Sequence, residues 1–109
     1  MTVQDILAAT RALCPAIVAG DTHVLGSPVP VPPVDLRLLG VVLELNGEVV
    51  ATAAGAAKGH PAAAIAALGS LRAGDIVVTP PLASVGLARA GDVLVASVGR
   101  LGSVEAVVG

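Results

Sequence analysis

The sequence predicts one small α+β domain that is rich in β-strands and contains two short helices. An Asn-Gly dipeptide separates two apolar runs, which is typical of a tight β-hairpin. A Gly-Asp turn occurs twice, each time before a β-branched run, and only two segments carry helix signals. The 109 residues are enough for a single domain. Within residues 1–109 we expect a helix over 3–13, a proline-rich connector over 22–34 and a β-rich body over 38–108.

The first helix is predicted from an apolar face that contains Val3, Ile6, Leu7 and Leu13. Thr2 is a suitable N-cap, and the proline that follows residue 14 ends the helix. Residues 17–19 then read as a short strand. The alternating prolines of residues 28–33 require an extended chain and exclude these residues from the interior of a sheet.

The hairpin is predicted over residues 39–45 and 48–53, with a type I′ turn at Asn46-Gly47 because both residues accept positive φ. A two-residue loop predicts the cross-strand pairs Leu45–Glu48, Leu43–Val50 and Val41–Thr52. Both faces are mainly apolar away from the turn, so we expect an internal hairpin.

The second helix is expected over residues 60–69, with Pro61 in its first turn and a glycine after its end. Ile65 and Leu68 are predicted to supply its buried contacts. The two repeated segments, residues 72–78 and 89–95, each predict a Gly-Asp turn that starts a strand. A last strand is expected over residues 103–108.

Composition excludes several classes of function. The formal net charge is −2 with six Lys and Arg, and aromatic residues are absent, so neither a basic face nor a stacking surface is available for nucleic acid. No apolar run reaches the length of a membrane span, and an acidic residue follows the N-terminus where an export signal carries Lys or Arg. The single cysteine, Cys14, cannot form an intramolecular disulfide, which fits a reducing compartment. The chain is therefore expected to be cytoplasmic.

The surface is predicted to be unusually apolar. Apolar residues make up 55% of the chain and charged residues only 13%, while a domain of this size leaves much of its surface exposed. Extended apolar patches usually mark an interface, so we expect a homo-oligomer or a subunit that binds a partner. The alternative is a monomer whose surface is made of small Ala and Gly side chains.

Few residues could carry chemistry. Asp21 and His23 have the spacing of two metal ligands, but a single Asp-x-His in a loop favours the alternative that these side chains bond to loop backbone. Glu44 and Glu48 fall on opposite faces of the predicted hairpin and so do not form a pair of catalytic carboxylates. Lys58 and His60 precede a helix, which predicts a site for a small anion such as a carboxylate.

Residues 40–57, followed by residues 59–62, resemble the C-terminal half of the 2-keto-4-pentenoate hydratase family. That family includes the 4-oxalocrotonate decarboxylases and belongs to the fumarylacetoacetate hydrolase superfamily. The resemblance continues in order at residues 71–77, 90–93 and 101–104. Upstream, residues 15–21 resemble a family segment that reads Pro-Ala-Leu-Glu-Ile-Val-Asp. The resemblance covers most of the chain.

The resemblance implies a mixed β-sandwich roll and, for the family, enol–keto chemistry on a 2-oxo acid assisted by Mg²⁺ or Mn²⁺. Family members are about twice as long, and their N-terminal half supplies a lysine and two metal-binding glutamates. The third carboxylate ligand corresponds to Val18, which cannot bind a metal. The family's substrate loop corresponds to residues 79–82, where prolines remove N–H donors.

We therefore expect a shortened hydratase-like domain with no metal cofactor and without the family's metal-dependent activity. It is expected to act as an oligomer or beside a longer hydratase or decarboxylase homologue. A remaining small-carboxylate site would use Asp21, Lys58, His60 and Thr79. The alternative is a metal-independent lyase or isomerase for a 2-oxo acid, in which Asp21 pairs with His23 or His60 as acid and base.

Overall fold

The computed structural model describes residues 2–19, 22–68, 71–86 and 88–109. These ranges confirm the β-rich α+β class, with two short α-helices and six strands. The elements in chain order are α1 (Val3–Ala9), β1 (Ala16–Ala19), β2 (Thr22–Leu25), a 3-10 helix (Leu36–Leu38), β3 (Gly40–Leu45), β4 (Glu48–Ala54), α2 (Ala63–Ala66), β5 (Val93–Val98) and β6 (Gly102–Val107). None of the helices in these ranges is long and apolar enough to span a membrane.

The strands form a four-stranded sheet in the order β4-β3-β5-β6 and a separate two-stranded sheet of β1 and β2. Every pairing between these strands is antiparallel. One face of the larger sheet forms the core, where Leu43, Leu94, Ala96 and Val104 cluster with Ile17 from β1. The smaller sheet therefore covers the inner face of the larger one. We call the opposite face of the four-stranded sheet the outer face.

The hairpin turn forms as predicted, because Asn46 and Gly47 both have positive φ, at 52° and 87°. The register is correct only next to the turn, where Leu45 pairs with Glu48. Farther along, the expected pairing of Leu43 with Val50 is wrong, because a bulge inserts Val50 and shifts the partner of Leu43 to Ala51.

The other predicted hairpin pair is displaced by the same bulge: Val41 pairs with Ala53 and not with Thr52. The hairpin is also not wholly internal. β3 lies between two strands, whereas β4 is an edge of the described sheet and leaves Val49 and Val50 exposed.

The first helix is shorter than predicted and ends at Ala9. Its start is as expected: the Thr2 hydroxyl accepts from the Asp5 N–H, and the Asp5 carboxylate accepts from the Thr2 N–H. Thr10 is extended, and its hydroxyl donates to the Ile6 carbonyl. Leu13 then exchanges two backbone hydrogen bonds with Val29, so it is not on the helical face.

The region predicted as a connector contains β2 at its start, because Thr22–Leu25 pairs with β1. Residues 28–33 lie outside the named strands, as their prolines require. The second helix is also shorter than expected. Ala62, just before α2, supplies the buried contact. Ile65 is only half-buried and Leu68 is exposed, so the expected burial of Leu68 is wrong.

Both repeated turns form, but only the second starts a strand. Gly74 and Gly91 have nearly equal φ values of 89° and 90°. After Gly91 the chain enters β5, which pairs on both sides, whereas residues 76–78 belong to no strand. The expected strand over residues 76–78 is therefore absent from the described structure, since no neighbouring strand pairs with it.

Candidate functional site

A groove of about 670 Å³ lies between α1, the proline-rich residues 31–34 and the 3-10 helix. Val3 and Leu7 of α1 form an apolar wall together with Val31. Asp35, Arg37 and His60 line the same groove and supply its charged and polar groups. A concave site that combines an apolar wall with a few polar groups is typical of small-molecule binding.

Gly55 allows the 3-10 helix to pack directly against the turn that follows β4. A Cβ atom at this position would lie 1.8 Å from the Leu36 carbonyl oxygen. The Gly55 N–H donates to the Leu39 carbonyl at 2.7 Å, and the Ala56 N–H donates to the Arg37 carbonyl at 3.1 Å. These backbone contacts fix Arg37 relative to the hairpin.

Asp35 and Arg37 form a bidentate ion pair at the end of the groove. Arg37 Nη2 donates to Asp35 Oδ2 at 2.7 Å, and Arg37 Nε donates to Asp35 Oδ1 at 3.0 Å. The Arg37 backbone N–H also donates to Asp35 Oδ1, so Asp35 caps the 3-10 helix. The Arg37 guanidinium, assisted by this backbone N–H, lowers the pKa of Asp35 to about 2. The carboxylate in turn raises the pKa of Arg37.

His60 enters the groove with one ring nitrogen already occupied. Its Nδ1 accepts from the Ala62 N–H at 3.0 Å, so in the neutral ring the proton is on Nε2. The ring is half-buried and lines the groove with Asp35. His60 is also the smallest of the causes that lower the pKa of Asp35. Nε2 is the ring nitrogen left to meet a ligand.

Of the predicted site residues that the structure describes, His60 is the one that lines the groove. His23 lies exposed on β2, opposite Val18. Lys58 is exposed in the turn after β4, and Thr79 is half-buried beyond the first Gly-Asp turn. Asp21 lies outside the described residues.

Sequence reasoning missed Asp35 and Arg37. Their signal is local: an Asp directly before a short helical turn is a common N-cap, and an Arg two residues later can reach back to it. The sequence predicts only a proline-rich connector before Asp35 and does not predict the helix cap at Asp35. What the sequence could not show is that α1 and His60 come to the same groove.

The arrangement can hold a small carboxylate with an apolar body. Asp35 occupies Nε and Nη2 of Arg37, which leaves Nη1 as a donor. His60 Nε2 supplies a second donor on the same groove. Val3 and Leu7 can contact the apolar part of such a molecule.

The fold is similar to that of solved enzyme structures. The chain matches the solved structure of 4-oxalocrotonate decarboxylase from Pseudomonas putida G7 complexed with calcium and acetate, with a TM-score of 0.76 and 28% identity over 98% of this chain. It also matches a structure of that enzyme complexed with magnesium and adipate, with a TM-score of 0.66 and 36% identity over 80% of this chain. The fold is therefore that of an enzyme of the fumarylacetoacetate hydrolase superfamily.

Two curated relatives identify the homology more closely. The chain is 42% identical over 82 residues to 4-oxalocrotonate decarboxylase from Pseudomonas putida, a match that covers 67% of this chain and 31% of the relative. It is 62% identical over 40 residues to the enzyme of Pseudomonas sp. strain CF600, covering 36% of this chain and 15% of the relative. The chain is therefore partially homologous to 4-oxalocrotonate decarboxylase, which confirms the resemblance seen in the sequence.

The matched region is only a part of these relatives. The alignment with the calcium-containing structure covers 52% of that chain, and the alignments with the two curated relatives cover less than a third of each. No protein-family model matches the chain.

The two solved structures contain calcium or magnesium. Val18, which the resemblance places at the family's third carboxylate ligand, lies on β1 with its hydrocarbon side chain 43% exposed. The side chains of its neighbours Ile17 and Ala19 also lack atoms that could bind a metal. Within the described ranges no three His, Cys, Asp or Glu side chains come together as a metal site.

Proposed function

We propose that the chain is a 4-oxalocrotonate decarboxylase-like domain that acts in the cytoplasm as an oligomeric or partner-associated subunit. In this proposal it lacks the family's metal-dependent lyase activity. The observation that carries the proposal is the outer face of the four-stranded sheet, which no other described element covers with a second layer.

The outer face combines valines, which are exposed on its edge strands and half-buried on its central strands, with polar side chains. The strand register places Val42, Val95 and Val107 on this face, opposite to the core residues of the same strands. Val107 is 64% exposed at one edge, and Val49 is 58% exposed on β4. An antiparallel sheet can leave one face in water, but such a face is then mainly polar. Apolar side chains across it support a role in association.

Val18 supports the loss of metal-dependent activity, because magnesium and calcium require oxygen ligands that valine does not have. We expect no turnover of 4-oxalocrotonate or 2-hydroxypenta-2,4-dienoate when either is mixed with the protein and Mg²⁺ or Mn²⁺. The absorbance of each substrate gives the rate directly, since the chain has no aromatic residues. Metal-dependent turnover, or stoichiometric Mg²⁺ binding in calorimetry, would overturn this part of the proposal.

Association is tested by light scattering over a range of concentrations, alone and with a full-length 4-oxalocrotonate decarboxylase. We expect a complex in at least one of the two conditions. Val107→Lys places a charge on the outer face, so we expect it to weaken the complex. Leu38→Lys is the matched control, expected to leave the complex unchanged, because Leu38 is 81% exposed in the 3-10 helix. A monomer in both conditions, with no binding to the longer enzyme, would refute the subunit role.

The groove supports a second candidate function, a small metal-independent lyase or isomerase that binds a 2-oxo acid or related carboxylate. The supporting observation is His60, whose Nδ1 is fixed by the Ala62 N–H while Nε2 remains free beside the Asp35–Arg37 pair. A positioned N–H donor can stabilise negative charge that develops on a substrate oxygen. In this function Arg37 Nη1 binds the carboxylate, and the Nε2–H of the neutral His60 ring donates to the 2-oxo oxygen and stabilises its developing negative charge.

Titration with pyruvate, followed by NMR, tests this second function. His60→Asn keeps an acceptor for the Ala62 N–H but removes Nε2, so it separates the ligand contact from the local fold. We expect His60→Asn and Arg37→Met to abolish the chemical-shift changes. Lys58→Ala tests the lysine of the sequence-predicted site in the same titration. Unchanged binding in the His60 and Arg37 variants would remove the groove as the site.

A further inference from the structure

The same kind of turn occurs in two segments of the chain, but only one of these turns leads into a paired strand. In each, an Arg N–H donates to the Asp carboxylate three residues later, at 2.8 Å for Arg72 with Asp75 and 2.7 Å for Arg89 with Asp92. In each, the Asp N–H donates back to the Arg carbonyl. The turn at Asp92 is followed by β5. The turn at Asp75 is followed by Ile76, Val77 and Val78, which pair with no neighbouring strand although all three are β-branched.

The residues after Asp75 alternate in exposure as a strand with one covered face does. Ile76 is 75% exposed and Val78 is exposed, whereas Val77 and Thr79 are half-buried. A period of two is the pattern of an extended strand. Pro80 and Pro81 follow, so only residues 76–79 can supply ladder N–H groups. The segment is short and uncharged, has the exposure pattern of a strand, and has no partner strand among the described residues.

We propose that residues 76–79 pair antiparallel with the same residues of a second copy of this chain, about a twofold axis at Val77. A twofold axis perpendicular to a sheet requires one residue to face itself, because facing side chains lie on the same side of the sheet. With Val77 facing Val77, Ile76 of each copy faces Val78 of the other. The two most exposed side chains of the segment then cover each other as β-branched cross-strand pairs.

Charge and length favour a second copy as the occupant. In this register Asp75 faces Thr79 of the other copy, so a carboxylate meets a hydroxyl that can donate to it, and no two like charges face each other. The prolines end the ladder on one side and the Arg72–Asp75 turn ends it on the other. Pairing about a twofold axis uses the same edge of both copies, which gives a closed pair and not an open chain of strands.

This inference rests on the proposed oligomeric role, and its test separates the two. Ile76→Glu and Val78→Lys are measured singly and together by light scattering and sedimentation. Each single variant puts a charge against an apolar side chain, and we expect the dissociation constant of the dimer to rise about tenfold or more. In the double variant the introduced carboxylate of each copy faces the introduced ammonium group of the other, so we expect the dimer to be restored. Leu38→Glu, an exposed leucine elsewhere, is the control expected to have no effect.

Each result has a defined meaning. Weakening by both single variants and recovery in the double variant supports pairing in this register. A dimer that is indifferent to Ile76→Glu, or a double variant that fails to recover, overturns the pairing while the oligomeric role stands. A wild-type monomer at all concentrations overturns both. Circular dichroism of each variant shows whether a loss of dimer reflects unfolding, and Val78→Thr, which is β-branched and uncharged, should remain dimeric.

Discussion

Asn46 and Asp92 join two turns that are 46 positions apart in the chain. Asn46 Nδ2 donates to Asp92 Oδ1 at 3.0 Å, and Asn46 Oδ1 accepts from the Val93 N–H at 2.9 Å. The Asn46 backbone N–H also donates to the Val93 carbonyl at 2.8 Å. The turn of the β3–β4 hairpin is therefore bonded to the Gly91-Asp92 turn that starts β5. This connection aligns the first residues of β5 with the end of β3.

Two substitutions of Asn46 separate the effect of its side-chain hydrogen bonds from the effect of the positive φ that the turn requires. Asn46→Gly keeps the positive φ but removes the side-chain bonds, and it should lower the free energy of unfolding by about 1 kcal/mol. Asn46→Ala should cost a further 1–2 kcal/mol or so, because alanine is strained at positive φ. Denaturant unfolding measures both. Equal stability of the two variants would show that the turn tolerates alanine and that φ is not the determinant.

The effect of Asn46→Gly on the pKa of Asp92 can also be measured by NMR. The Arg89 backbone N–H and then the Asn46 side chain lower the pKa of Asp92. Without the Asn46 amide, the pKa of Asp92 should rise, but not to its ordinary value, since the Arg89 bond remains. NMR titration of the Asp92 carboxyl carbon measures this, and an unchanged pKa would contradict the bond.

Gly55 should tolerate substitution poorly. A Cβ at Gly55 would collide with the backbone of Leu36, which cannot move away as a side chain can. We expect Gly55→Ala to cost about 2–3 kcal/mol or more. Gly40→Ala is the matched control, because a Cβ there meets nothing within 4 Å. Similar stability of the two variants would show that the 3-10 helix does not pack on the turn as closely as described.

The Asp35–Arg37 pair should make stability fall in acid. The pKa of Asp35 is lowered in the folded state from 3.8 to about 2, so its contribution is present above 3.8 and is lost as the pH falls toward 2. The lowered pKa values of Asp5 and Asp92 act in the same direction. The stability difference between wild type and Asp35→Asn should shrink across this window in unfolding experiments. A difference that stays constant with pH would exclude the ion pair as its cause.

Local chemistry was the part of the fold that the sequence predicted best. The Thr2 cap, the Asn46-Gly47 turn and both Gly-Asp turns follow from the φ preferences and short-range hydrogen bonds of the residues themselves. The bulge at Val50 depends on the partner strand, so the pairing beyond it was wrong.

Long-range features were not predictable for the same reason. Residues 76–78 carry the same β propensity as the start of β5, yet the strand requires neighbours that propensity does not describe. The position of His60 before a helix predicts a site, but its groove partners Asp35 and Arg37 lie between the predicted connector and the predicted β-rich body, where the sequence predicts no element. Which side chains share a groove depends on packing between segments distant in sequence.

A pair of leucines tests where the core lies. Leu43 is 7% exposed and packs with Leu94, Ala96 and Val104, so Leu43→Ala should lower the free energy of unfolding by about 2–4 kcal/mol. Leu38→Ala removes the same atoms from a side chain that is 81% exposed and should change stability by no more than about 0.5 kcal/mol. Denaturant unfolding at a concentration where the protein is monomeric gives both values. A large cost at Leu38 under those conditions would mean that this side chain is less exposed than described, and the groove beside the 3-10 helix would then have to be redefined.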